Sequence, residues 1–273
     1  MALVRIMADN GQPTTDNILF VKDRKARANE VNERLARQYP DARVELDYRN
    51  PFELLIATIL AAQSTDVRVN IVTKSLFRKY PTPQAFANAS QVEMETDVKQ
   101  TGFFRNKAKA VIACSKAIVE RHGGEVPRTM EELVALPGVG RKTANVVLGN
   151  AMGIEAGVIV DTHVTRLSGR LAFTKHADPV DIERDLMKIV PREQWTKFAN
   201  HLILHGRRVC IARKPDCPNC VLNDICPSAI LITADPASPA KSRGRSARSA
   251  TPSSPSPSRS RTSGSPRGRT RST

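Results

Sequence analysis

A chain of 273 residues that is 40% hydrophobic can bury a sizeable core, and with only 4% aromatics that core is expected to be aliphatic. The net charge of +15 excludes an acidic, self-solvating chain and points to a polyanionic partner, nucleic acid first. Nine Lys or Arg and no acid lie between Pro236 and Thr273, which leaves +6 on residues 1–235, so the body is basic in its own right.

Residues 1–23 read as a loose leader whose apolar run is too short for a secretory signal. The chain from Arg24 to Gln38 is charged and helix-prone. Asn50 and Pro51 open the next helix as N-cap and first helical residue. Its body, FELLIATILAAQ, is apolar nearly all round and is expected to be buried rather than to span a membrane, which needs a longer run. Ser64-Thr65-Asp66 caps a helix over about 67–78. Further helices are predicted over 91–100, 106–121, 130–136, 141–151, 162–171, 180–189 and 194–208, separated by turns such as Pro81-Thr82-Pro83. GVIV at 157–160 is extended but isolated, so the expected fold is all-α, with about ten helices joined by short loops. The Ser, Pro and Arg of Pro236–Thr273 cannot bury enough surface to order that tail. Either a solvated extension or non-specific attraction to nucleic acid suits it.

The stretch LPGVGRKTANVVL, from Leu136 to Leu148, places Gly138 and Gly140 at the mouth of a helix, followed by Arg141 and Lys142. A Walker loop is set aside, because Arg141 follows Gly140 and a helix, not a strand, precedes the turn. Helix, hairpin, helix remains, with unpaired amides at the positive end of a helix dipole suited to phosphate. An ordinary helix–helix turn is the plain alternative. Lys142 is either a solvated or phosphate-touching lysine, or a partly dehydrated one that stays neutral part of the time and can form a Schiff base. Asp161 follows GVIV and suits an N-cap, or a carboxylate delivered into a pocket.

Cys210, Cys217, Cys220 and Cys226 fall within seventeen residues, which suggests one tetrathiolate centre and a reducing, cytoplasmic setting rather than a disulfide framework. Zinc usually takes two close pairs, and only one short pair occurs here. The wider gaps suit a [4Fe–4S] cluster. The loop between the first two ligands carries Arg213 and Lys214, placed to hold a phosphate. Cys114 reads as a buried thiol.

Together the glycine hairpin, Lys142, Asp161 and the cysteine spacing resemble the endonuclease III family of DNA glycosylases over about Arg24–Cys226, with FELLIATILAAQSTD, TGFFRNKA, VDTHVTRL and LILHGRRVCIARKPDCPNC in the family's order. The resemblance implies a six-helix barrel over 44–154 and a cluster lobe built from 24–43 and 155–227, with 228–273 as tail. It implies a monomer that binds double-stranded DNA across the cleft, flips the damaged nucleotide and is nucleoid-associated. Residue by residue, it implies that Lys142 is the nucleophile, Asp161 the catalytic carboxylate and the four cysteines the cluster ligands. Gln63 would enter the gap left by the flipped base, and Phe103 stands where the family often has a leucine wedge. Gly138, Gly140, Arg141, Arg213 and Lys214 are the other expected DNA contacts. The implied substrates are oxidised or ring-saturated pyrimidines and abasic sites. An adenine-excising mismatch glycosylase shares the hairpin and cluster but lacks the lysine and carries a further C-terminal domain. A non-catalytic iron–sulfur DNA-binding protein gives no reason for Lys142 and Asp161 to occur together.

Overall fold

The computed structural model describes residues 23–229, so the expectations for the leader and most of the tail lie outside the described residues. Among the described residues there is no strand and there are eleven α-helices. They are α1 (Arg24–Gln38), α2 (Pro51–Leu60), α3 (Asp66–Lys79), α4 (Pro83–Ala87), α5 (Gln91–Asp97), α6 (Phe104–His122), α7 (Met130–Val134), α8 (Arg141–Met152), α9 (Thr162–Arg170), α10 (Pro179–Ile189) and α11 (Trp195–Arg208). None of them is long and apolar enough to cross a membrane.

Local chemistry sets most of the starts. Asn50 accepts from the Glu53 amide with Pro51 in the first turn, Thr65 accepts from Arg68, and Asp161 and Asp178 each accept from two amides of α9 and α10. Eight of the eleven helices carry such a side-chain cap, and α6, α8 and α11 do not. α11 continues from a 3₁₀ turn at Arg192–Gln194. The bare starts of α6 and α8 are therefore the two that nothing local accounts for.

α2 is the hub. Every residue from Phe52 to Leu60 is buried, and the helix packs against α3, α6 and α8. Each buried Leu or Ile there contributes on the order of 1.5–3 kcal/mol. α4 and α5 cover α6, and α7 leads through the hairpin into α8. A second group joins α1, α9, α10 and α11, and α8 meets α11. That last contact is close: a Cβ on Gly149 would lie 2.0 Å from Thr196 Oγ1. Asn200 Nδ2 also donates to Asn150 Oδ1 at 2.9 Å.

Four expectations change. α4 occupies what read as a turn, because Thr82 and Pro83 serve equally as N-cap and first helical residue, and Phe86 behind them is fully buried. The helix expected over 91–100 ends at Asp97 and is followed by a 3₁₀ turn at Lys99–Thr101. The core is not purely aliphatic. Phe86 packs against Phe52, Tyr80 and Phe77 with ring centroids 5.3, 5.3 and 6.3 Å away, and Phe173 and Phe198 form a second pair at 6.0 Å. The ordered chain also passes 227: Ser228 donates to the Arg170 carbonyl at 2.9 Å and Ala229 is buried. The segment 157–160 is extended without a strand partner, as read from sequence, and Val158, Ile159 and Val160 are buried.

Candidate active site

The hairpin is anchored by its apolar residues. Leu136 and Val139 are buried, and the Val139 amide donates to the Leu136 carbonyl. Gly138 has φ +77°, and a Cβ there would lie 2.9 Å from Ala110 Cβ, so both backbone and space demand glycine. Gly140 is different. It is the N-cap of α8 with φ −99°, and a Cβ would meet nothing within 4 Å. The protein itself does not need a glycine at 140, and the space before the uncapped amides of α8 is open. Gly138→Ala should lower stability by about 1–3 kcal/mol, the cost of a left-handed residue plus a tight contact. Gly140→Ala should stay within about 1 kcal/mol. Thermal melts of the two variants check the difference.

Lys142 and Asp161 line one pocket, with Asp66, Asn200 and Arg207 also in its wall. Each comes from the first turn or cap of its own helix. Lys142 is reached by solvent along the cleft, yet protein crowds its ammonium. Desolvation is the largest influence and holds its pKa below the ordinary lysine value of 10.5, while Asp161 and Asp66 oppose that shift and Arg207 adds to it. The α8 dipole acts in the same direction as desolvation. Asp161 does act as an N-cap, but with one oxygen only. Oδ1 accepts from the His163 and Val164 amides at 2.8 Å each, and Oδ2 takes no protein hydrogen bond among the described residues. The capping and pocket readings of Asp161 therefore hold together.

Arg207, which the sequence did not single out, crosses from α11 to the other side of the pocket. It donates to Asp66 Oδ2 at 2.6 Å and to Glu45. Its partners lie more than 140 residues away in the chain, so no local pattern marks it.

Gln63 and Phe103, expected at the base gap, are both exposed, Phe103 by 65%. Their φ values are +54° and +48°. Lys214 has φ +60°, and among the described residues only Ala172 joins these three as a non-glycine residue with positive φ. Such backbone is costly and tends to gather at functional sites. Phe103 precedes α6, and its loop is tied down by buried Lys107, whose Nζ donates to the Thr101 carbonyl at 2.6 Å. Arg213 and Lys214 are exposed and form no ion pair among the described residues. Arg141, an expected DNA contact, has a partner within the protein. Its guanidinium grips Glu183 of α10 through two hydrogen bonds of 2.6 and 3.1 Å. A carboxylate 42 residues away is not readable from the hairpin sequence.

Cys210, Cys217, Cys220 and Cys226 line one apolar cavity of about 20 Å³ at the end of α11, with Cys217 buried and the other three partly buried. Among the described residues no three His, Cys, Asp or Glu side chains are grouped to hold a single metal ion. Burial pushes the Cys220 thiol up to about 11, and raises Cys217 and Cys226 as well. Four thiolates in so dry a site need a cationic centre to sustain them. Sulfur-directed donors are already in place. Arg170 Nη1 lies 3.2 Å from Cys210 Sγ, His205 Nε2 lies 3.3 Å from Cys220 Sγ, and the Leu222 amide donates to Cys220 Sγ at 3.4 Å. Arg170 and Arg166 of α9 also bond the carbonyls of Cys210, Ile211 and Ala212. One helix thus presents Asp161 at its start and holds the 210–216 loop from its end. Cys114 is fully buried and its thiol is pushed up to about 12, the inert thiol expected.

Residues 56–192 match the family model described as HhH-GPD superfamily base excision DNA repair protein. The chain is 56% identical to endonuclease III of Synechocystis over 206 residues, covering 76% of this chain and 94% of that protein. It is 47% identical to the Bacillus subtilis enzyme over 71% of this chain and 89% of that one. It is 43% identical to the Escherichia coli K12 enzyme over 74% of this chain and 95% of that one. Among solved structures, a trapped endonuclease III–DNA covalent intermediate superposes with a TM-score of 0.73 at 43% identity, covering 77% of this chain and 98% of the other. A non-covalent endonuclease III–DNA complex gives the same values. The hairpin, the pocket beneath it and these likenesses agree: the chain belongs to the HhH-GPD superfamily of base excision DNA repair glycosylases and, within it, to the endonuclease III family.

Proposed function

We propose that this DNA glycosylase is bifunctional: it removes oxidised or ring-saturated pyrimidines from duplex DNA and then nicks 3′ to the abasic site through a Schiff base on Lys142. The observation that carries the reading is the pocket shared by Lys142 and Asp161, in which desolvation favours a neutral lysine. The similarity to a trapped covalent DNA complex supports it.

In this mechanism the neutral Nζ of Lys142 attacks C1′ of a flipped nucleotide, and the base leaves with its bonding electrons. Asp161, through its free Oδ2, stabilises the positive charge that develops on the sugar and moves protons as the ring opens. The lysine nitrogen becomes an imine with C1′. Loss of a C2′ proton then expels the 3′ phosphate by β-elimination. Gln63 and Phe103 fill the gap in the duplex, their strained loops presenting the side chains outward. The open amides at Gly140 and the hairpin backbone at Gly138 grip phosphate, as do Arg213 and Lys214. Gly140→Ala, nearly neutral for stability, should therefore weaken DNA binding, which fluorescence anisotropy would register.

We assign Cys210, Cys217, Cys220 and Cys226, which line one apolar cavity, as the residues that would hold a [4Fe–4S] cluster. When bound, the cluster supplies structural cross-linking that shapes the Arg213–Lys214 loop, and no step of the chemistry needs it. The reading is of a monomer that acts on double-stranded DNA at the nucleoid.

The test is borohydride trapping on a duplex with one abasic site, followed across pH. Adduct formation should rise with pH as Lys142 loses its proton and reach half its maximum below the ordinary lysine value of 10.5. Arg207→Met removes a nearby cation and should move that midpoint up, and Asp161→Asn removes an anion and should move it down. A midpoint at or above the ordinary lysine value, or shifts of the opposite sign, would remove the support for a dehydrated nucleophile.

A further inference from the structure

Glu183 lies on α10, is only 4% exposed, and does not line the Lys142–Asp161 pocket. Its carboxylate is nonetheless bonded to α8, which carries Lys142, and stands against the segment that leads to Asp161. Oε2 accepts from Arg141 Nε at 2.6 Å, and Oε1 accepts from Arg141 Nη2 at 3.1 Å and from Asn145 Nδ2 at 2.9 Å. Arg141 is the residue before Lys142, and Asn145 sits on the next turn of the same helix. Asn145 Nδ2 also lies 3.4 Å from the Val158 carbonyl, three residues before Asp161. The extended segment is shaped around the same carboxylate: a Cβ on Gly157 would stand 1.9 Å from Glu183 Oε1 and 3.0 Å from the Asn145 amide group. Gly157 has no positive φ, so space rather than backbone angle calls for glycine there.

We propose that Glu183 is a positioning residue that locks the first turns of α8 and the 157–161 segment to each other, and so sets how Lys142 faces Asp161. The carboxylate fixes Arg141 and Asn145 of α8, Asn145 in turn reaches the Val158 carbonyl, and Gly157 packs directly on the carboxylate, so loss of the buried charge would leave these donors unpaired and loosen both sides together. The hydrogen bonds of Asp161 itself run forward into α9, so its polar tie to α8 passes through Asn145 and Glu183 beside the apolar packing of Val158, Ile159 and Val160. The inference rests on the reading of Lys142 and Asp161 as nucleophile and carboxylate, but the lock itself is a structural claim that can be read without activity.

The experiment compares the holoenzyme with its Glu183→Gln, Gly157→Ala and Met94→Ala variants. Met94 is fully buried in α5, among the other group of helices, and serves as a control for stability loss alone. Backbone hydrogen exchange is measured over 141–148 and 157–164, together with DNA affinity and the single-turnover rate of adduct formation. The expected result is faster exchange in both segments at once for Glu183→Gln and Gly157→Ala, and in neither for Met94→Ala. The adduct rate should fall tenfold or more in those two variants, with DNA affinity changed less than threefold and cluster absorption intact. Exchange that loosens in one segment only, or in all three variants alike, would overturn the lock. A wild-type rate in both variants would overturn its role in positioning. If the wild type formed no adduct, the lyase reading would fall, and the exchange data would still uphold or overturn the lock.

Discussion

Lys142→Ala should abolish the borohydride adduct and reduce strand nicking by a factor on the order of 10⁴ or more, the usual loss when a covalent nucleophile is removed. DNA affinity should change little, because the open amides of α8 and the exposed Arg213 and Lys214 are untouched. Stability should hold or improve. An ammonium in the first turn of α8 opposes the helix dipole by about 0.3–1 kcal/mol and is partly dehydrated as well. The protein therefore carries this lysine at a cost to its fold, a trade typical of groups kept for chemistry. The measurements are adduct yield on a denaturing gel, nicking rate, anisotropy with uncleaved duplex, and a thermal melt. A variant that still forms adduct would move the nucleophile elsewhere. One that loses DNA binding in step with nicking would make Lys142 a phosphate contact instead.

Cys220→Ala should remove the visible absorption of a cluster, and with it the order of the 210–226 loop. Cys220 receives three contacts that aim at one sulfur: the ring it shares with the other thiols, His205 Nε2 and the Leu222 amide. Without a centre to join them, the remaining thiols are no longer tied to one another, and the Arg170 bonds to Cys210 and Ile211 hold the loop at one end only. DNA affinity should fall tenfold or more as Arg213 and Lys214 lose their placement. The rate on DNA that does bind should change little, since Lys142 and Asp161 line a different cavity. Cys114→Ala is the contrasting case. It removes a fully buried thiol of α6, should cost on the order of 1–2 kcal/mol through the small cavity left, and should leave absorption and DNA affinity unchanged. Loss of absorption in Cys114→Ala, or its retention in Cys220→Ala, would contradict the ligand set.

What the chain determined by itself is local. The caps at Asn50, Thr65 and Asp161 and the buried run of α2 all follow from interactions within about one helical turn, so residue type and spacing suffice to place them. That Lys142 falls in the first turn of a helix and that Asp161 caps one was legible for the same reason. Tertiary structure alone decided which distant groups tune those residues. Arg141 was free in the sequence to reach for phosphate, and folding gave it to Glu183. Arg207 looked like one more cation and became a tie across the Lys142 pocket to Asp66. The same Thr82-Pro83 pair that signals a turn began a helix because Phe86 had an aromatic cluster to enter. A carboxylate and a guanidinium attract wherever the chain brings them, and a pair separated by 42 or 141 residues is brought together only by the packing of the helices that carry it.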